Sequence, residues 1–275
     1  MIQSRRWTQA VTVAQFKMMW LPCTLASLLA VCQSAPIPRT VDLGYGLDDN
    51  TVFWPGTQRF NITEQTKLKD LNGIRWFARN TFITTEHIGT HVDAPYHFSE
   101  NGWKIADIPL KRLFVPGALI DVSEKVQGNN DFELQRKDIE EWEDEHGQLP
   151  DDSILLIRFG WSSRYYDNRT EYFGLEKSNA SELSFPGLSV EAGKYILEKG
   201  SIYAVGVDTP SLDPGKSSNF EVHQMLFETQ MFGIENLNLE KDALPAKGFM
   251  LHVLPLKITI GTGAPARVIA LLNHE

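Results

Sequence analysis

Cysteine is almost absent from this chain: there are two in 275 residues, Cys23 and Cys32. They form no Cys-x-x-Cys pair, which excludes a thiolate zinc cage or a dithiol redox centre. Long hydrophobic runs are equally scarce. The most extended, Met18 to Val31, has fourteen residues, against the roughly 20 that a membrane-spanning helix needs. Positive charge is in deficit, with 26 Lys and Arg against 35 Asp and Glu and a formal net charge of −9. With no long basic run, nucleic acid is not an expected partner.

The chain nevertheless has a distinct N-terminal segment. Arg5, Arg6 and Lys17 precede the apolar run, and Cys32-Gln33-Ser34-Ala35 follows it. Basic residues, an apolar stretch and then small residues is the order of a secretory signal peptide. We expect residues 1–34 to be removed after Ser34, with Met18 or Met19 as alternative starts and an uncleaved anchor as the competing reading. Cleavage would remove both cysteines, so the remaining chain could form no disulfide and would depend on its core for stability. It would keep 23 basic and 35 acidic residues, a net charge of −12, which disfavours an anionic membrane surface. Three sequons, at Asn61, Asn168 and Asn179, agree with a secreted glycoprotein.

Histidine is sparse but concentrated. Of seven in the chain, three fall in His87-Ile88-Gly89-Thr90-His91-Val92-Asp93-Ala94-Pro95-Tyr96-His97. His87, His91, Asp93 and His97 share one parity, so a fully extended backbone would present all four on one face. Imidazole and carboxylate are ligands for borderline divalent metals. Gly89 and Pro95 oppose one continuous helix, so a strand or extended loop is expected.

Elsewhere, buried strands are expected at Ala118–Val122, Ile154–Arg158, Ile202–Val207, Leu256–Ile260 and Arg267–Leu272, where apolar residues occupy both parities. Helical patterns cover Asp138–His146, Val190–Lys199 with Ser189 as cap, and Phe220–Met231 with Asn219 as cap. The polar stretch 164–184 reads as an exposed insertion. Strands mixed with helices, and no linker across 40–275, predict a single α/β catalytic domain at 35–275. His223 lies in the first turn of the third helix, with Glu235 twelve residues on. By spacing alone they read as a helix-surface histidine and a loop carboxylate.

Residues 87–97 match His-x-Gly-Thr-His-x-Asp-x-Pro-x-His, and in this the chain resembles the metal-dependent cyclase-like hydrolases, which include bacterial-type kynurenine formamidase and isatin hydrolase. Trp54-Pro55-Gly56, Pro116-Gly117, Phe159-Gly160-Trp161, Gly206 to Asp213 and Gly261 to Arg267 follow in family order, with Phe159 in place of a threonine. The resemblance implies a swivelling β/β/α arrangement with a mixed sheet and assembly as a homodimer or homotetramer. It implies His87, His91 and Asp93 as ligands of a first metal, and Asp93, His223 and Glu235 as ligands of a second, with Glu235 able to bridge. His97 matches the catalytic histidine and Trp54 a substrate-lining residue, though a core tryptophan is the competing reading of Trp54. One or two divalent ions are expected, zinc ahead of manganese. The implied reaction is hydrolysis of a small aromatic amide, with N-formylkynurenine as first candidate. An isatin-like lactam, a cyclisation, and a secreted metal-binding protein without turnover are the alternatives.

Overall fold

A computed structural model describes residues 38–164, 169–174, 183–240 and 243–272. The strands are β1 (Arg39–Asp42), β2 (Asn61–Leu71), β3 (Ile74–Ile83), β4 (His91–Asp93), β5 (Phe114–Asp121), β6 (Glu133–Leu134), β7 (Ser153–Arg158), β8 (Gly187–Leu188), β9 (Ile202–Val207), β10 (Phe232–Glu235), β11 (Lys247–Pro255) and β12 (Gly263–Leu272). The helices are α1 (Ser123–Val126), α2 (Arg136–His146), α3 (Arg169–Tyr172), α4 (Val190–Lys199) and α5 (Glu221–Phe227). Among the described residues no helix is long and apolar enough to cross a membrane. The leader at 1–34 and the sequons at Asn168 and Asn179 lie outside the described residues.

The main sheet runs β1-β12-β11-β5-β7-β9-β10-β4, and β4 also pairs with β12. That last pairing closes seven strands into a barrel and leaves β1 on its flank. The run β5-β7-β9-β10 is parallel and the remaining pairings are antiparallel. The mixed α/β expectation therefore holds, with closure into a barrel as its specific form.

Alternation explains why the central strands are apolar on both parities. Leu119, Leu156, Ala204 and Ile234 join one core, with Leu251 and Val268. Their neighbours Ala118, Leu155 and Val205 face a second core with Ile139 of α2, Ile196 of α4 and Leu226 of α5. One parity thus fills the barrel and the other seats the helices. Gly117 is required inside: a Cβ there would lie 2.1 Å from the Phe249 ring.

Three sequence expectations need correction. The strand expected at Leu256–Ile260 is a turn, in which Ile258 donates to the Leu256 carbonyl and Gly261 to that of Ile258. The chain pairs earlier, as β11, whose alternating exposure gives no continuous apolar run. The helix expected at Phe220–Met231 is only Glu221–Phe227: Phe220 adopts positive φ at its start, and past its C-cap Glu228 the chain turns at Gln230, also with positive φ; Asn219 does not cap it. The stretch 164–184 is not simply exposed: Tyr172 and Phe173 are fully buried. By contrast, Ser189 accepts from the Ala192 N–H and Gly200 ends α4 in the left-handed region, as expected.

The β2–β3 hairpin went unread in the sequence, although its turn is Asn72-Gly73. Both residues have positive φ, the requirement of the two-residue turn that best matches strand twist.

Candidate metal centre

The His87–His97 segment is not one extended ribbon. Gly89 turns with φ of 54°, only His91–Asp93 form a strand, and Pro95–His97 form a single 3-10 turn. The four side chains still converge, through a turn, a strand and a second turn rather than through shared parity. Pairing supplies the rest: β10 lies against β4 with Glu235 opposite His91 and Gly233 opposite Asp93. His223 reaches in from the first turn of α5. Gly263, opposite Asp93 on β12, leaves room for the His87 ring, since a Cβ there would come within 2.5 Å of it.

Two carboxylates stand at the centre. Asp93 Oδ1 is 2.5 Å from His87 Nδ1 and 3.1 Å from His91 Nε2, and Asp93 Oδ2 is 3.3 Å from His223 Nε2. Glu235 Oε1 is 3.0 Å from His223 Nε2, and Oε2 is 3.4 Å from His91 Nε2. All but His87 of this set are buried.

The outer contacts fix which ring nitrogen turns inward. His91 Nδ1 donates to the Gly89 carbonyl at 2.9 Å. His223 Nδ1 donates to Asp213 Oδ2 at 2.6 Å. Thr262 Oγ1 donates to Glu86 at 2.6 Å, so it accepts from His87 Nε2 at 2.9 Å. Each imidazole thus turns its other nitrogen to the carboxylates, the orientation that metal-bound histidines take from their outer hydrogen bonds.

This arrangement asks for positive charge. Burial alone would lower the His91 pKa, but Asp93 and Glu235 outweigh it and raise it to about 10. Burial likewise opposes ionisation of Asp93, yet His87, His91 and His223 hold it well below the usual carboxylate range. His223 is held well above its ordinary value despite burial, by Asp213, Asp93 and Glu235. Bound protons or a divalent cation could meet the demand, and they would compete. His91 Nε2, buried 3.1 Å from Asp93 Oδ1 and 3.4 Å from Glu235 Oε2, makes no hydrogen bond of good geometry to either, as suits a nitrogen that shares an ion with them. The ligand atoms of His91, Asp93 and Glu235 lie within 4.8 Å of one another, as do those of His87, Asp93 and His97. A nitrogen and oxygen donor set with this spacing fits a divalent ion of the zinc or manganese type.

His97 differs from the others. Its ring stacks on His87 at 4.0 Å between centroids, and it is exposed at the cavity. Partial burial, partly offset by Asp93 and reinforced by His87, pushes its pKa down to about 4. It is therefore neutral at pH 7, able to accept a proton.

These groups floor a cavity of about 250 Å³. Trp54 lines it, half-buried, with its ring edge-on to Phe173 at 6.0 Å and to Phe185 at 6.4 Å. Phe53, Phe98, Phe173 and Phe220 complete an aromatic wall, and among the described residues no Lys or Arg lines it. Phe159 is buried in the helix-side core and lines no part of it.

The family profile described as "Putative cyclase" matches residues 41–214. The chain belongs to the cyclase family. It is 33% identical to an isatin hydrolase of Roseibium aggregatum over 207 residues, covering 72% of this chain and 76% of that one. It is 29% identical to a kynurenine formamidase of Bacillus thuringiensis, covering 83% of this chain and 95% of that one. Isatin hydrolase A from Labrenzia aggregata, solved with benzyl benzoate, superposes with a TM-score of 0.76 at 31% identity over 86% of this chain and 94% of that one.

Several cyclase-site residues escaped the sequence reading. Asp213 and Thr262 lay inside motifs noted only for their order, and Glu86 adjoins the histidine motif. Phe98, Phe173 and Phe220 carried no signal, since aromatics near a site cannot be told from core without the fold.

Proposed function

We propose that the chain is a metal-dependent hydrolase of small, neutral aromatic amides, and that a cyclic amide of the isatin type is its best-fitting substrate class. The observation that carries the metal is His91 Nε2, which is turned onto two buried carboxylates without a well-formed hydrogen bond to either. His87, His91 and Asp93 would hold a first ion, and Asp93, His223 and Glu235 a second, with Glu235 facing both. Zinc fits ahead of manganese. The ion supplies Lewis acidity, lowering the pKa of water from about 16 towards 7 and offsetting charge on the amide oxygen.

The chain's own residues do the rest. The aromatic wall of Trp54, Phe98, Phe173 and Phe220 receives a flat ring and excludes water. His97, neutral at pH 7, takes a proton from the attacking water on an imidazole nitrogen and returns it to the leaving amide nitrogen. Among the described residues no Lys or Arg lines the cavity, and Arg169, stacked on Phe53, is engaged with the Phe53 carbonyl, so the carboxylate of an amino-acid substrate would lie unpaired there, at a cost. That favours a lactam over N-formylkynurenine. The formamidase reading stands second, supported by relatives that match 83% of the chain. We also propose secretion after loss of residues 1–34, on the leader pattern and the sequons; N-terminal sequencing of protein from the medium tests it.

The deciding experiment compares isatin and N-formylkynurenine as substrates for purified protein stripped of metal and reloaded with zinc or manganese. We expect metal-dependent opening of isatin, loss of about 100-fold or more in kcat for His97→Ala with metal retained, and loss of both metal and turnover for Asp93→Ala. With the His97 pKa near 4, protonation of His97 should lower kcat/KM only below about pH 5, so a fall between pH 8 and 6 would belong to the activated water or the ligand histidines. Metal bound without turnover of either substrate would leave a metal-binding protein in place of the enzyme.

A further inference from the structure

His97 is held differently from the histidines around it. His87, His91 and His223 each take an outer hydrogen bond that fixes the ring. Among the described residues the His97 ring makes none; it stacks on His87 and meets Phe98 edge-on. Its place is set by that packing and by the backbone turn that carries it. The turn is a single 3-10 turn, Pro95–His97, and residues 98–104 fold back against it. The Tyr96 N–H donates to the Trp103 carbonyl at 3.0 Å, and a Cβ on Gly102 would come within 2.4 Å of the Pro95 carbonyl carbon. Turn and loop thus lie flush, and one cannot shift without the other.

One side chain pins the loop from outside. Gln230 Oε1 accepts from the Trp103 N–H at 2.8 Å, and its Nε2 donates to the Asn101 carbonyl at 3.3 Å. Gln230 stands just past α5, the helix that carries His223. Arg112 secures it there: Nη1 donates to the Gln230 carbonyl at 2.8 Å, and the guanidinium lies over the Trp103 ring at 4.7 Å. Gln230 has φ of 65°, a conformation that glycine adopts at least cost. The chain nevertheless has a glutamine at this point, and both hydrogen bonds to the loop come from its side chain.

We propose that Gln230 is a positioning residue for His97, pinning the loop that holds the histidine over the ion site. Its catalytic consequence rests on the hydrolase reading, in which His97 carries the proton. A group misplaced by about 1 Å can cost on the order of 100-fold in rate. The ligand histidines have hydrogen bonds of their own, so release of the loop should move His97 and leave them in place.

Two variants test this. Gln230→Met keeps the size of the side chain and removes both hydrogen bonds, whereas Gln230→Glu keeps the acceptor for Trp103. Each is purified, reloaded with zinc and assayed on isatin and N-formylkynurenine, with metal content, Tm and amide hydrogen exchange measured beside turnover. For Gln230→Met we expect kcat lower by about tenfold or more, with KM within about twofold and metal content unchanged. Exchange should quicken about tenfold or more, at residues 101–103 and at 96–99 alike. Gln230→Glu should recover most of the kcat and most of the protection. A lower Tm with kcat per bound metal unchanged would make Gln230 structural and overturn the proposal, as would faster exchange that stops short of residues 96–99. Loss of metal together with kcat would also overturn it, since the ligands rather than His97 would have moved. If the unaltered chain turns over neither substrate, the hydrolase reading falls, and the reach of faster exchange into 96–99 alone decides whether Gln230 positions His97.

Discussion

Glu86 and Thr262 place His87 without belonging to the cluster themselves. The Thr262 hydroxyl and backbone N–H both donate to Glu86, at 2.6 and 2.9 Å, so the hydroxyl oxygen is left to accept from His87 Nε2. Without that hydroxyl the ring could flip and offer the wrong nitrogen. Thr262→Val is expected to weaken metal binding about 10- to 100-fold, and Thr262→Ser to restore it. Competition titration with a chromogenic chelator reads this out independently of turnover. At this scale the sequence was informative where distinctive residues cluster: His87, His91, Asp93 and His97 stood out by type and density, His223 and Glu235 only through the family resemblance, and the fold brings all six together. Hydroxyls and aromatics serve too many structural purposes to be read the same way.

α5 shows how an element can depend on a residue far from it. Phe220 stands at its N-terminus in the left-handed region, with no side-chain cap. Asp213 supplies the missing acceptors, taking the N–H groups of Val222 and His223 at 2.9 and 3.0 Å as well as His223 Nδ1. One carboxylate therefore starts the helix and aims the histidine. We expect Asp213→Ala to cost about 1–3 kcal/mol in urea unfolding and to weaken metal binding about tenfold or more. An effect on stability with metal affinity unchanged would reduce Asp213 to a cap. Asp208 has a comparable structural duty: fully buried, with burial raising its pKa to about 6, it accepts the N–H groups of Phe159, Trp161 and Ser162. The helix start misread in the sequence follows from this dependence. Asn219 is a good local cap by residue type, but a remote carboxylate already occupies the position that capping would serve.

In the molecule as a whole, barrel closure couples the site to the core. β4 carries His91 and Asp93 and is also the strand that joins β10 to β12, so two of the proposed ligands sit on the seam. The barrel has little spare volume, as the Phe249 ring fills the space that Gly117 leaves open. Gly117→Val should therefore overpack it, costing about 1–3 kcal/mol, seen as a lower Tm; Phe249→Ala combined with it should recover part of the loss.

What the sequence by itself determined is local: the α/β class, four of the five expected strands, the capped α4, and a candidate ligand cluster at 87–97 whose residue types have few other uses in such density. What only the tertiary structure decided is relational. Parity suggested a single face for residues 87–97, and the fold reached convergence another way, through Gly89 and the Pro95 turn. The outer partners Glu86, Thr262 and Asp213, the aromatic wall and the closure of β4 onto β12 join residues up to 176 positions apart. Such contacts depend on register and packing between distant segments, and periodicity along one chain carries neither.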